Sequence, residues 1–493
     1  MLRNKVVKPL LIALTAILPF KFVHAVETST ESAALSVNYP GLTSVHTEIR
    51  LTDATQNSAS GAYIGSHNWK SHGFTATVPA EILDLIIRKG SATYYIDDLD
   101  CSSGSCSVDD IVATLSVTFD GMSSVHIEAR LPDGLPDEAT GGSVNNKNWQ
   151  SNQASFAVLR QIYDVRMRRG SDSFVVDNVD CQSGSCSVDD QGVNMIVNFP
   201  GVSSVHSDVR IPDAVPGAAN GGSVTSSNWK SNQTTIRVFP KIYDLRIRKG
   251  AATHIIDNLD CRSGDCEVED FLVDLDISFP GLSSVHSDVR LPDNNAETAT
   301  GDVVTSSNWK RDATNIRVFP ALYDLRIRQG ASTHIVNDVD CSNGDCQAGG
   351  FVRQITVGFQ GLSSVHTDVY PSDGINSTVS SSRAARSYWK TNSTTINTLP
   401  GLYDLKIRQG GGEYIIDNVD CRTANCETDD FVTTMNVEFN GLSSVHTEVY
   451  PYDGAAGSTT GSRITGQYWK TDSASVSLFP GIYDVKITRG GST

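Results

Sequence analysis

Three sets of residues in this chain are of types that do chemistry. The first is a histidine with an acid two positions on: His46 and Glu48, His126 and Glu128, His206 and Asp208, His286 and Asp288, His366 and Asp368, His446 and Glu448. On an extended strand, residues i and i+2 share a face, so each pair stands in one polar row. Arg50, Arg130, Arg210 and Arg290 extend the row in the first four cases, Tyr370 and Tyr450 in the last two. An imidazole beside a carboxylate is half a metal site or a general base. On a wet sheet face the same row is a set of cross-strand pairs, each contributing under ~1 kcal/mol.

The second set is cysteine. Cys101/Cys106, Cys181/Cys186, Cys261/Cys266, Cys341/Cys346 and Cys421/Cys426 each enclose four residues, many of them turn formers such as Ser102-Ser103-Gly104-Ser105. Two thiols per unit are too few for a structural zinc site. Local disulfides are expected, each closing a short loop and contributing ~2 kcal/mol. The third set is acidic. Asp97, Asp98, Asp100, Asp109 and Asp110 crowd the first cysteine pair, and Asp257, Asp260, Asp265, Glu267 and Asp270 the third. Carboxylates without basic partners repel unless water or a cation screens them. Ca²⁺, which takes about six to eight oxygens, is the candidate cation; a solvated acidic loop is the plainer reading, and no cofactor is required. The fourth joint weakens the metal reading, because Asn337 and Gly350 stand where most copies have Asp.

These residues recur because the chain is one unit written six times. Trp69, Trp149, Trp229, Trp309, Trp389 and Trp469 lie 80 apart, as do the six histidines and Asp84, Asp164, Asp244, Asp324, Asp404 and Asp484. Self-similarity at a fixed period marks a repeat array. Within the unit the hydrophobic period is two. In the fourth copy Asp276-Ile277-Ser278-Phe279, Val285 to Leu291, Thr314 to Phe319 and Tyr323 to Arg328 alternate, and Pro280-Gly281, Pro292-Asp293, Pro320 and Gly330 punctuate them. Short strands with one dry and one wet face predict an all-β chain of six small sandwiches of about 80 residues each in an elongated array. The expected boundaries are 26–105, 106–185, 186–265, 266–345, 346–425 and 426–493, the last lacking the closing joint segment. Each unit is expected to fold alone around its single tryptophan, with the six tryptophans in the cores.

Residues 1–25 read as a secretory signal. Arg3, Lys5 and Lys8 precede the apolar run from Pro9 to Phe20, and Val23-His24-Ala25 offers a cleavage site. No later apolar run approaches ~18 residues, so no transmembrane segment is expected in the mature chain. Secretion, to the cell surface or outside the cell with the periplasm as the alternative, suits disulfides. The formal charge of −17 over 493 residues excludes nucleic acid as a natural partner.

In unit size, strand pattern and the segment Phe239-Pro240-Lys241-Ile242-Tyr243-Asp244-Leu245, the chain resembles the immunoglobulin-like or transthyretin-like tandem repeats of bacterial cell-surface proteins. The resemblance implies stalks, adhesins and matrix components, and no catalytic residue. No hydrolase, zincin, nucleotide or dinucleotide fingerprint is present, so no enzyme is expected. The expected function is a structural or adhesive spacer, or a multivalent rod, whose partners are other surface proteins or glycans. The alternatives are a carbohydrate-binding array, for which Tyr370, Tyr388, Tyr450 and Tyr468 supply aromatics in the last two copies only, and a Ca²⁺-stiffened or donor-strand polymer that self-associates through the edge of the last unit.

Overall fold

The computed structural model describes residues 31–491 apart from 54, 294, 296, 297, 381 and 456. The signal segment lies outside the described residues. Among them there is no helix, and the strands form a repeated two-sheet sandwich. The first copy defines it: β1 (Ser32–Tyr39), β2 (Val45–Leu51), β3 (Tyr63–Lys70), β4 (His72–Pro79), β5 (Ile82–Lys89), β6 (Ala92–Asp100) and β7 (Ser105–Val108). One sheet has the order β4-β1-β7, the other β3-β2-β5-β6. All neighbours are antiparallel except β1 and β7. The arrangement repeats over 112–188, 193–268, 273–348 and 353–428, and the residues 433–488 form a two-stranded and a three-stranded sheet.

Alternation builds the core. On β1, Ala33, Leu35, Val37 and Tyr39 are buried while the residues between them face outward. On β2, Val45, Thr47 and Ile49 face in. The two inner faces meet as in any aligned sandwich. Each of Tyr163, Tyr243, Tyr323, Tyr403 and Tyr483 donates its hydroxyl to the carbonyl four residues upstream. That bond satisfies the polar end of a large buried ring and pins the crossing between sheets.

The five expected disulfides all form: Cys101–Cys106, Cys181–Cys186, Cys261–Cys266, Cys341–Cys346 and Cys421–Cys426, with Cα–Cα separations from 4.9 to 5.2 Å. The first cysteine of each pair follows the end of β6 or its equivalent, and the second lies on β7 or its equivalent, in the other sheet. Each bridge therefore ties the two sheets of one sandwich together.

This placement corrects the expected boundaries. Boundaries at 105/106, 185/186, 265/266, 345/346 and 425/426 assign Cys106, Cys186, Cys266, Cys346 and Cys426 to the unit that follows. The structure assigns each of them to the unit that precedes. Cys106 is the register partner of Leu35, Cys186 of Leu115, Cys266 of Met195, Cys346 of Leu275 and Cys426 of Ile355, always on the first strand of the same sandwich as the other cysteine. The physical reason is the parallel pairing of the last strand with the first, which a linear reading of the repeat does not reveal. The units close at Val108, Val188, Val268, Ala348 and Thr428.

Two further expectations are corrected. The tryptophans are not the core: all six are 71–77% exposed. Each lies on the edge strand of the larger sheet in the left-handed backbone region, with φ between 54° and 57°. The edge position and the bulge turn the side chain outward, and the interior is filled instead by Phe119, Phe199, Phe279 and Phe359 with the buried tyrosines. Nor is every unit self-contained. The buried residues of the third and fourth copies form one continuous cluster from Met195 to Phe351, joined by Leu399 of the fifth. The ring of His254 stacks on Phe271 at 4.7 Å, and Phe271 meets Phe319 at 5.8 Å, carrying apolar contact from one copy into the next. Tyr414, Phe431 and Phe479 do the same between the fifth and sixth.

Backbone contacts lock these joints. The β5–β6 hairpin tip of one copy meets the first residue of β3 in the next, or the segment just before it: Ser91 N–H donates to Ser143 O at 2.9 Å, Ala251 to Val303 at 3.2 Å, Ala331 to Arg383 at 3.2 Å and Gly411 to Arg463 at 3.3 Å. The tip residue Gly330 has φ of 54°, and a Cβ there would lie 2.4 Å from the Arg383 carbonyl, so only glycine fits. By backbone contacts the described residues divide into two compact units, residues 31–168 with 173–190, and residues 169–172 with 191–491.

Candidate functional site

The outer face of each larger sheet gathers the polar row foreseen from the sequence and the tryptophan that was not. His46, Glu48 and Arg50 point away from the core because β2 alternates. Their register partners on β5 are Arg88, Ile86 and Asp84. On the other side, β3 pairs Val45 with Lys70 and Thr47 with His67, and the register shift between them leaves Asn68 and Trp69 opposite His46. The bulge is the device that places the tryptophan beside the histidine. In the last three copies the two rings meet edge-on, with centroids 4.2 Å apart for His286–Trp309 and His366–Trp389 and 4.3 Å for His446–Trp469. The residue closing the β3–β4 turn holds the bulge: Asn152, Asn232, Asp312, Asn392 and Asp472 accept from the backbone N–H of Gly121, Gly201, Gly281, Gly361 and Gly441.

A bulky residue in the left-handed region costs on the order of 1–3 kcal/mol and persists where its surroundings over-determine it. Six such positions, all tryptophan and all exposed, point to a surface kept for contact.

Behind each tryptophan the acid of the row is the centre of an ion cluster. Asp208 takes Arg246 at 2.5 Å, His206 at 3.2 Å and Arg248 at 3.5 Å. Asp288 takes Arg326 at 2.7 Å and Arg328 at 3.3 Å. Glu128 takes Arg166 at 2.5 Å and Arg130 at 2.8 Å. Burial pushes the Asp208 carboxyl up, but the hydrogen bonds of Arg246 and His206 outweigh it and hold it below the usual range. For Glu128 the same contest, with Ser143, Arg166 and Arg130 on the lowering side, leaves the pKa at about 2 against an ordinary value of 4.5. Burial and the Arg168 charge push the His126 pKa down, which favours the neutral imidazole. In these three copies the acid is held by two or more arginines or by arginine and histidine.

A pH dependence follows. Because the folded pKa of Glu128 lies below the unfolded one, its contribution is complete above about pH 4.5 and is lost as the pH falls toward 2. Thermal melts across that window are expected to fall more steeply for the intact chain than for Glu128→Gln. Parallel curves would refute the assignment.

The acidic residues expected to hold Ca²⁺ take separate partners. Asp97 accepts from the Asn57 N–H, Asp98 from the Thr52 hydroxyl, Asp100 from Ser102, Asp109 from Asn38, and Asp110 from Arg160. Asp257 accepts from the Gly217 N–H, Asp260 from Arg262, Asp265 and Glu267 from Asn194 and Asn198, and Asp270 from Arg317. Among the described residues no three acids, histidines or cysteines gather as a metal group. The carboxylates shape turns instead. Asp53, in the loop between β2 and β3, accepts from Ser60 and Thr55, which hold its pKa at about 2.

The sequence carried a signal for the exposed tryptophans. Ser226-Ser227-Asn228-Trp229-Lys230 contains one apolar residue among polar ones, which suits a strand with little to bury.

Among the described residues no helix is long and apolar enough to cross a membrane, and the five disulfides fit an oxidising compartment. No family model matches the chain, and no curated protein matches it. Among solved structures the chain is similar to alpha-2-macroglobulin of Escherichia coli activated by porcine elastase, with 8% identity over 85% of this chain and 55% of that one, at a TM-score of 0.10. The trypsin-activated alpha-2-macroglobulin of Escherichia coli gives 7% identity over 93% of this chain and 47% of that one, also at 0.10. The chain spans about half the length of these structures. Superpositions this loose carry no argument, and the assignment of the chain to tandem all-β sandwiches rests on its own strand pairing.

Proposed function

We propose that the chain is an exported, multivalent glycan-binding repeat protein, in which each sandwich presents one tryptophan to a polymeric ligand. The observation that carries this reading is the set of six tryptophans exposed at one equivalent position in every copy. A flat indole packs against the C–H face of a sugar ring, and the surrounding arginines, serines and asparagines supply hydrogen bonds to its hydroxyls. No single platform of this kind binds tightly. Six on one chain, facing a ligand that itself repeats, gain through effective concentration without any new contact.

The locked joints support the spacer reading as part of the same function. Within each compact unit, hairpin tips seated on the following copy limit bending and hold neighbouring platforms at a set interval. Calcium has no part in the proposal, since each of those joint carboxylates already has a donor. In the ion clusters the acid is already paired with arginine, which favours binding over catalysis.

The intact chain is expected to bind at least one of four hexasaccharides, of glucose, N-acetylglucosamine, mannose or galacturonic acid, and to bind the corresponding polymer more tightly. Calorimetry on the hexasaccharides and retention on the immobilised polymers measure this. No heat and no retention with any of the four would remove the proposal.

A further inference from the structure

The last two copies rearrange the binding face. Where the first four have Arg50, Arg130, Arg210 and Arg290 at the end of the polar row, the fifth and sixth have Tyr370 and Tyr450. Arginine reappears two residues before the edge strand as Arg383 and Arg463, where the earlier copies have Tyr63, Ser143, Ser223 and Val303. The ion pair survives the move: Arg383 lies 2.9 Å from Asp368, and Arg463 2.9 Å from Glu448. What changes is the surface the guanidinium faces. From the segment just before the edge strand it lines the joint with the preceding copy.

The hairpin tip opposite changes in step. Positions occupied by Lys89, Arg169 and Lys249 in the first three copies are Gln329 and Gln409 in the fourth and fifth. These are the tips that meet the Arg383 and Arg463 carbonyls. Both glutamines are 8% exposed, and both amide oxygens lack a hydrogen-bond partner. Gln409 is oriented by its Nε2, which donates to the Ser363 carbonyl at 3.2 Å. A buried acceptor without a donor costs ~1–3 kcal/mol, and such a group in a native fold calls for a partner.

Each glutamine, its arginine and the tryptophan of the preceding copy line one cavity. Trp309, Gln329 and Arg383 share a cavity of about 600 Å³ with Ser283 and Ser284. Trp389, Gln409 and Arg463 share one of about 620 Å³ with Ser363 and Ser364. These volumes lie within the range of ligand pockets. Neither copy holds the full set of groups by itself.

Within the glycan-binding reading, on which this step rests, we infer that the joints between the fourth and fifth and between the fifth and sixth copies are composite sugar subsites, each seating one pyranose ring of a glycan chain. The indole takes the C–H face of the ring, a rotation of the glutamine amide brings its oxygen, closed to solvent in the free chain, to a ring hydroxyl that supplies the donor it lacks, and the guanidinium and serines contact the oxygens on the opposite edge. A polar rim around one aromatic surface suits a ring that is apolar on its faces and hydroxylated at its edge. The free edge strand suits an extended peptide less well, because that ligand needs pockets for alternate side chains.

The test returns the arginines to their place in the first four copies. A variant with Tyr370→Arg, Arg383→Val, Tyr450→Arg and Arg463→Val places an arginine in each acid's row and removes Arg383 and Arg463 from the cavities, leaving Arg386 and Arg408 in their walls. A second carries Gln329→Leu and Gln409→Leu, which removes the orphan oxygens at nearly constant volume. A third carries Trp309→Ala and Trp389→Ala, and a control carries Leu135→Ala and Val215→Ala, exposed apolar residues that belong to neither the tryptophan set nor the two cavities. Each is titrated calorimetrically with the same four hexasaccharides, and its melting temperature is recorded. The first three are expected to bind about tenfold more weakly than the intact chain, the loss of one good hydrogen bond or ring contact, while melting within a few degrees of it and while the control loses less than half its affinity. Intact affinity in the arginine and glutamine variants, with loss in the third, would overturn the composite site and leave the glycan reading standing. Intact affinity in the third variant, or no binding of any hexasaccharide, would overturn both. Binding of a Thr-Val repeat peptide in place of the sugars would overturn the inference in favour of strand pairing at the edge.

Discussion

Alanine at Trp69, Trp149, Trp229, Trp309, Trp389 and Trp469 together is expected to abolish retention on the immobilised polysaccharide and to leave the melting temperature within a few degrees of the intact chain. The two halves of this result come from one fact, the 71–77% exposure of the six indoles. A side chain that stands in water contributes little to the core, so its removal opens no cavity. The contact it gives up is the edge-on meeting with histidine, worth ~0.5–1.5 kcal/mol at most. Alanine also accepts the left-handed backbone there no worse than tryptophan does. Binding is different in kind. A multivalent ligand held at six points loses ~10²–10⁴ in avidity when the points are removed. Stepwise replacement is expected to lower retention with each tryptophan removed, more steeply for Trp309 and Trp389. A fall of many degrees in melting temperature would mean that the tryptophans hold the fold after all. Undiminished retention would mean that they face nothing.

The second large effect is on stability. Asp324→Ala is expected to destabilise the chain by ~3 kcal/mol in chemical denaturation, and Asp324→Asn by about half of that. Asp324 is 2% exposed. Its Oδ2 accepts from the Asp293 N–H at 3.1 Å and its Oδ1 from the Asp338 N–H at 3.0 Å. Asp293 in turn accepts from the Asn295 N–H at 2.9 Å and the Thr300 hydroxyl at 2.7 Å, and these bonds hold its pKa at about 2. One buried carboxylate thus anchors the loop between the strands equivalent to β2 and β3 and a bulge on the strand equivalent to β6. Alanine leaves two partly buried amides without acceptors. Because the third and fourth copies share a buried cluster, the loss is expected to lower the transition of both together. A change under about 0.5 kcal/mol, the scatter of surface substitutions, would show that the loop is held by something else.

The equivalent bonds recur at Asp84, Asp164, Asp244, Asp404 and Asp484. The 80-residue period made these aspartates visible as a set. Their role was not visible, since a repeated acid reads equally as surface, ligand or anchor until its burial is known.

What could be read from the residues alone was whatever depends on near neighbours along the chain. Alternation with period two is local, so the strands and the all-β class were legible. Two cysteines with four residues between them can reach each other whatever the rest does, so the five disulfides were legible as well. The row of His206, Asp208 and Arg210 was legible because residues two apart on a strand must share a face. The tertiary structure decided the matters that depend on which strand lies beside which. Cys186, Cys266, Cys346 and Cys426 belong to the sandwich behind them, as Cys106 does, because the strand each one sits on returns to that sandwich's first strand. Trp229 is exposed because its strand is an edge and a bulge turns its backbone into the left-handed region. His254, Phe271 and Phe319 seal a joint because a hairpin tip reaches into the next copy. Arg383 meets the cavity wall of Gln329 across a boundary that no local pattern marks. Burial is a property of the assembled sheet pair, and the same tryptophan in the same pentapeptide would have been core on a central strand.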